Sequence, residues 1–216
     1  MEGAEDEIQA DVAYGIFEIF LNKELRERGS PLYELVESAV DFSDAFVEIF
    51  QKFSDEYPLL ADTLKKRMGE PAALYRMLQE GEGVTPSRTV MTYYIIQDAP
   101  GVIEGGMEDE NAGKWLIFIE PEKVDEAWRV VRDMTTKGTL GIASKVSTAK
   151  PNPESRDSRK VIFVYTRDWS DREDVMRVRE ELRKLGFTDR LGYKRNIETF
   201  RGEYSKKGKR VTYYSA

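Results

Sequence analysis

Neither histidine nor cysteine occurs among the 216 residues, so any chemistry must rest on other groups. Imidazole and thiolate metal sites, thiolate catalysis and disulfides are excluded. A proton donor or acceptor here is a carboxylate, a lysine or a tyrosine. No metal constellation stands out: Asp168, Asp171, Glu173 and Asp174 are close together, but three of them suit the charge preference of a helix N-terminus. The glycines at 81–83 and 105–106 lack the strand-to-helix setting of a phosphate loop. No cofactor is called for. What remains is cationic charge. Residues 1–80 carry a net charge of −10 and residues 81–216 a net +3, together the chain's −7. The C-terminal part is therefore the one suited to an anionic partner.

The elements that must position those charges fall into two groups. Residues 6–28 show helical spacing, with Ile8, Val12, Ile16, Phe17 and Phe20 on one face. Gly29 and Ser30 end that helix, and Pro31 opens the next. Phe42, Phe46, Ile49, Phe50 and Phe53 form a second apolar stripe that reads as core. Pro58 and Pro71 mark helices over 59–68 and 71–79. Residues 1–80 are thus an acidic helical segment, 81–88 a linker, and 89–216 an α+β domain.

In that domain TVMTYYIIQD (89–98), GKWLIFIE (113–120), GIASKVST (141–148) and KVIFVYT (160–166) are rich in strand formers, and LGYK (191–194) and RVTYYS (210–215) are short strands. Pro121 starts a helix ending near Gly138. Ser170 and Glu173 form a capping box for another, which Gly186 closes. The order implies an antiparallel sheet with helices on one face. Lys145 lies mid-strand, and its side chain points to the concave face because Val146 points the other way. Trp115 and Trp128 read as core. Trp169, between a strand and a helix cap, is open to packing or to ligand contact.

Hydrophobic residues make up 40% of the chain, enough for a core. No apolar run approaches the ~20 residues of a membrane span, and the acidic start MEGAEDEIQA lacks a signal peptide's pattern, so a cytoplasmic protein is expected. Four Asn, four Gln and 34% charged residues fit a thermophilic source.

The order of elements and several segments resemble the cap-binding translation initiation factor. These are Glu104-Gly-Gly-Met-Glu-Asp-Glu110 followed by Gly113-Lys-Trp-Leu-Ile117, then Val124-Asp-Glu-Ala-Trp128, Val161-Ile-Phe-Val-Tyr-Thr166 and Leu191-Gly-Tyr-Lys194. More closely, GKWLIF, SKVST, VYT with the following Asp-Trp, and GYK are similar to the Bles-type family (basophilic-leukaemia-expressed protein and its relatives), whose archaeal members carry a phosphothreonine-lyase label. The resemblance implies a curved antiparallel sheet backed by helices. It implies Glu108 as a base-edge acceptor and Lys114, Arg159, Lys160, Lys206 and Lys207 as phosphate contacts; beside these, Lys145 and Lys194 are expected to contact phosphate, and Tyr165 and Trp169 to stack. Met107 stands where the family has a stacking tryptophan, and Tyr165 replaces another. The loss of a stacked base contact worth ~1–3 kcal/mol each argues against recognition of a methylated cap.

The leading expectation is a non-enzymatic module that binds RNA, a nucleotide or another phosphorylated ligand on the basic concave face. Two alternatives stand beside it. One is a β-eliminating phosphothreonine lyase on a phosphopeptide, with Lys145 as base and Tyr165 or Tyr193 as acid. The other is an adaptor that takes a protein partner through residues 1–80.

Overall fold

The structure, a computed structural model, describes residues 2–102, 106–153, 155, 158–200 and 212–216. It divides into two compact units, Met1–Tyr93 with Thr148–Pro153, and Tyr94–Ser147 with Glu154–Ala216.

The first unit is built from helices α1 (Glu2–Glu27), α2 (Leu32–Glu37), α3 (Ser43–Glu56), α4 (Pro58–Met68) and α5 (Pro71–Gln79). Proline occupies the first helical position of both α4 and α5, where its missing N–H removes no intrahelical bond. Phe46, Ile49, Phe50 and Phe53 of α3 form the centre of the core. The Phe17 ring meets those of Phe46, Phe50 and Phe53 edge-on at 6.1, 5.5 and 5.1 Å.

Of the expected α1 stripe, Phe17 and Phe20 pack here and the rest does not. Ala10, Ala13, Tyr14, Phe17, Leu21 and Leu25 are buried, whereas Ile8, Val12 and Ile16 lie at the surface. The helix is apolar on two sides, so periodicity alone could not say which side meets the core.

Residues 81–88, read above as a linker, are packed within this unit. Glu82 and Val84 are buried, and Gly81 and Gly83 hold φ of 110° and 73°. The Glu82 carboxylate accepts from the amides of Val90 (2.9 Å) and Met91 (3.1 Å). Glycines needed for positive φ give this tight turn a linker-like composition.

The second unit is an α+β layer, as expected. Its six-stranded antiparallel sheet has the order β1-β3-β4-β2-β5-β6, with β1 Tyr94–Asp98, β2 Gly113–Ile119, β3 Ala143–Ser147, β4 Lys160–Thr166, β5 Gly192–Arg195 and β6 Tyr214–Ser215. Helices α6 (Val124–Thr136) and α7 (Arg172–Lys184) pack on one face. Alternation along β2 sends Trp115 and Ile117 into that layer, beside Ile162 and Val164 of β4. The Trp115 indole donates to the Val175 carbonyl at 3.0 Å.

The N-cap of α7 is Asp171, whose carboxylate accepts from Asp174 N at 3.1 Å. Ser170, the expected cap, instead donates to Asp168 from both its amide and its hydroxyl, at 2.8 and 2.7 Å. A short helix not expected from sequence, α8 (Asn196–Phe200), follows β5 directly. No helix among the described residues is long and apolar enough to cross a membrane.

Candidate functional site

Directly opposed residues of antiparallel strands share a face, so the registers map the sheet surface that α6 and α7 leave free. One row across it runs Asp98, Ala143, Tyr165, Lys114, Lys194. The next runs Ile96, Lys145, Phe163, Leu116, Gly192. A third begins Tyr94, Ser147 on one side and pairs Val161 with Phe118 on the other. Three lysines therefore project from two adjacent rows. The Lys114 and Lys145 ammonium groups lie 5.9 and 5.4 Å from the centre of the same ring, Phe163. Lys114 is also 5.2 Å from the Tyr165 ring, and Lys145 is 4.2 Å from that of Tyr94. The π faces recover part of what each ammonium loses on leaving water.

The electrostatics follow from this crowding. Burial pushes the Lys114 ammonium down to about 8, and the charges of Lys145 and Lys194 push in the same direction. Lys145 is likewise lowered by burial, with Glu108 pulling the opposite way. Lys194 stands directly across from Lys114, and like charges in that relation destabilise a sheet. The Tyr165 phenol is raised above its usual value by burial first, then by Tyr94 and Glu108. It holds its proton firmly, which makes it a weak proton donor.

Sequence reasoning missed Asn196. Its amide nitrogen donates to the carbonyls of Met107 (2.7 Å) and Asp109 (2.9 Å), which fixes the amide orientation and turns Oδ1 to Lys114 Nζ at 3.0 Å. Asn196 N also donates to the Ala112 carbonyl at 2.9 Å. One buried side chain thus ties the Glu108 turn to the lysine cluster. The signal was weak, a single Asn after a short strand. Replacement of Asn196 with leucine leaves two carbonyls and an ammonium without this partner, so a loss of about 2–3 kcal/mol is expected. Urea unfolding read by tryptophan fluorescence checks it, since Trp115, Trp128 and Trp169 all lie in this unit.

Of the residues singled out from sequence, Glu108, Lys114, Lys145, Tyr165 and Lys194 come together. Arg159 sits further along the same face, its guanidinium 5.0 Å from the Phe118 ring. Lys160 does not join them: it pairs with Ile119, on the helix side of the sheet. Trp169 is also elsewhere. Its ring lies 4.7 Å from the Arg195 guanidinium and 5.2 Å from the Tyr213 ring, and Arg195 is in register with Gly113 on the helix side. Tyr193, the alternative acid, is sealed in the core, where its hydroxyl bonds Thr166 Oγ1 at 2.6 Å. An added Cβ at Gly113 would overlap that phenol, so only glycine fits there. Lys206 and Lys207 lie outside the described residues.

The second unit is thus an open antiparallel sheet with two helices on one face and a lysine–aromatic surface on the other. Residues 107–199 match the family model of basophilic leukemia-expressed protein Bles03. Similar solved structures include schistosome eIF4E complexed with m7GpppA and 4E-BP, at 14% identity and TM-score 0.39, covering 50% of this chain and 61% of that one. Another is C. elegans eIF4E-3 with the 4E-binding protein Mextli and a cap analog, at 16% identity and TM-score 0.36, covering 54% and 65%. A third is Ascaris suum eIF4E-3 with an m2,2,7G cap, at 19% identity and TM-score 0.35, covering 54% and 64%. The chain spans less than two thirds of the length of each of these structures.

Proposed function

We propose that this chain is a binding module for a nucleotide or single-stranded RNA, held on the helix-free face of the sheet without recognition of a methylated cap. The observation that carries this is the placement of Lys114, Lys145 and Lys194 in two adjacent rows, with Lys114 and Lys145 flanking the Phe163 ring. Lys114, partly dry and pressed by the charges of Lys145 and Lys194, gains from a phosphate placed among the three. Ile96 and Phe118 stay 48% and 46% exposed on the same face, giving an apolar platform for a base. Glu108 supplies a carboxylate beside the cluster for a base edge.

Fluorescence anisotropy with a labelled RNA octamer tests this. Binding is expected at low salt, with a slope of log affinity on log salt of roughly −2 for three lysine–phosphate contacts on a single strand. No binding at low salt, or an affinity indifferent to salt, would rule the reading out.

A further inference from the structure

The outer side of α1 is a second apolar surface. Ile8, Val12, Ile16 and Ile19 are 64%, 52%, 37% and 65% exposed. At about 100° per residue they fall within an arc of about 80°, opposite the side that packs into the core. Gly15 stands among them, and an added Cβ there would meet nothing within 4 Å. A helix apolar on both sides is one that is covered on both sides. The charges along α1 indicate by what. Residues 2–11 carry five acids and no base, whereas residues 22–28 carry three bases and two acids; within the unit Glu7 pairs with Arg67, Asp11 with Lys150, Glu24 with Lys52 and Arg28 with Glu48, which leaves the excess acid at one end and the excess base at the other.

We propose that the stripe is the interface of an antiparallel homodimer in which α1 packs on α1 of a second copy, crossing near Gly15. A two-fold axis there sets Ile8 against Ile19 and Val12 against the Gly15–Ile16 turn. The stripe is its own complement, as an isologous contact requires. The same axis sets the acidic end of each helix against the basic end of the other. A parallel pairing would stack acid on acid. The stripe from Ile8 to Ile19 spans about 16 Å of helix axis, at the small end of specific interfaces, so the dimer dissociates on dilution.

Sedimentation over a concentration series tests the assembly: wild type shifts from monomer to dimer, and the doubly charged variant V12E/I16E stays monomeric with an unchanged helical signal. The chain has no cysteine, so single introduced cysteines report geometry cleanly. Gly15→Cys should form an intermolecular disulfide on mild oxidation. Ile8→Cys should not, because the two-fold separates its copies by about 16 Å along the axis. A wild type that stays monomeric at high micromolar concentration overturns the proposal and leaves the stripe to a different partner. Unaltered dimerisation of V12E/I16E, or cross-linking at Ile8 as efficient as at Gly15, overturns it equally.

Discussion

Lys114→Met is expected to weaken RNA binding at least tenfold at low salt and to make the salt slope shallower by roughly 0.7, the contribution of one phosphate contact on a single strand. The same change is expected to leave the second unit as stable as before or more stable by about 1 kcal/mol. The reason is the position of the amine. Lys114 is buried, with Lys194 directly opposite and Lys145 nearby, so its folded-state value falls from 10.5 to about 8. Below that value the folded chain holds an ammonium it would rather not carry. Removal of the charge relieves this, offset by about 1 kcal/mol for the lost bond to Asn196.

The pH dependence has a definite sign. Between about 8 and 10.5 the folded chain has released a proton that the unfolded chain still holds. Stability of this unit therefore rises with pH across that window, by ~1.4 kcal/mol per unit at most. RNA affinity moves oppositely and falls as pH passes about 8, because the neutral amine no longer attracts phosphate. A purely structural lysine would lose stability on substitution and show neither effect.

The second large effect belongs to the first unit and runs the other way. The Glu18 side chain turns in against Gly83, where an added Cβ would lie 2.9 Å from Oε1. Burial and then the neighbouring Glu82 raise its carboxyl from 4.5 to about 8. Around it stand Tyr14 on the same helix and Glu82, whose own carboxyl burial raises, with the Val90 and Met91 amides and the charge of Lys150 pulling the other way. Lys150 in turn is bonded to Asp11 at 2.6 Å and to the Met91 carbonyl at 2.8 Å. Of the two carboxylates, Glu82 has the donors, so Glu18 is the one that keeps a proton.

From about pH 4.5 to 8 the folded chain holds that proton and the unfolded chain does not. Stability of the helical unit therefore falls as pH rises, by on the order of 4 kcal/mol over the window. Glu18→Gln should flatten most of this slope, Glu82 keeping the remainder, and leave the variant more stable than wild type above pH 8. Urea unfolding followed by the helical circular dichroism signal at pH 5 and pH 8 measures it. A wild type equally stable at both values, or a variant that keeps the slope, would show that Glu18 is ionised in the folded protein.

Much of this arrangement was legible from residue types. The α3 phenylalanine stripe, the proline-started helices α4 and α5, and β2 and β4 all declared themselves through period and composition. The mid-strand position of Lys145 gave its direction, because alternation with Val146 leaves no choice. Other features depend on tertiary context. Alternation cannot tell which way Lys160 faces at the first residue of a strand, and the register sends it to the helix side. Trp169 is polar at one edge and flat, equally suited to a ligand and to Arg195. The inner face of α1 was hidden by an outer face just as apolar. Asn196 acts through three bonds to residues more than 80 positions away, a relation no local pattern carries.

We propose that the helix-free face takes an anion among Lys114, Lys145 and Lys194. Carbon-13 NMR of the lysine ε-methylenes, titrated over pH with and without a uridine mononucleotide, addresses it directly. One lysine, lost in Lys114→Met, should titrate near pH 8 alone and move toward 10 when the nucleotide is added, as phosphate stabilises the ammonium. A Lys114 resonance that titrates at the same pH in both samples would show that no phosphate settles beside this amine.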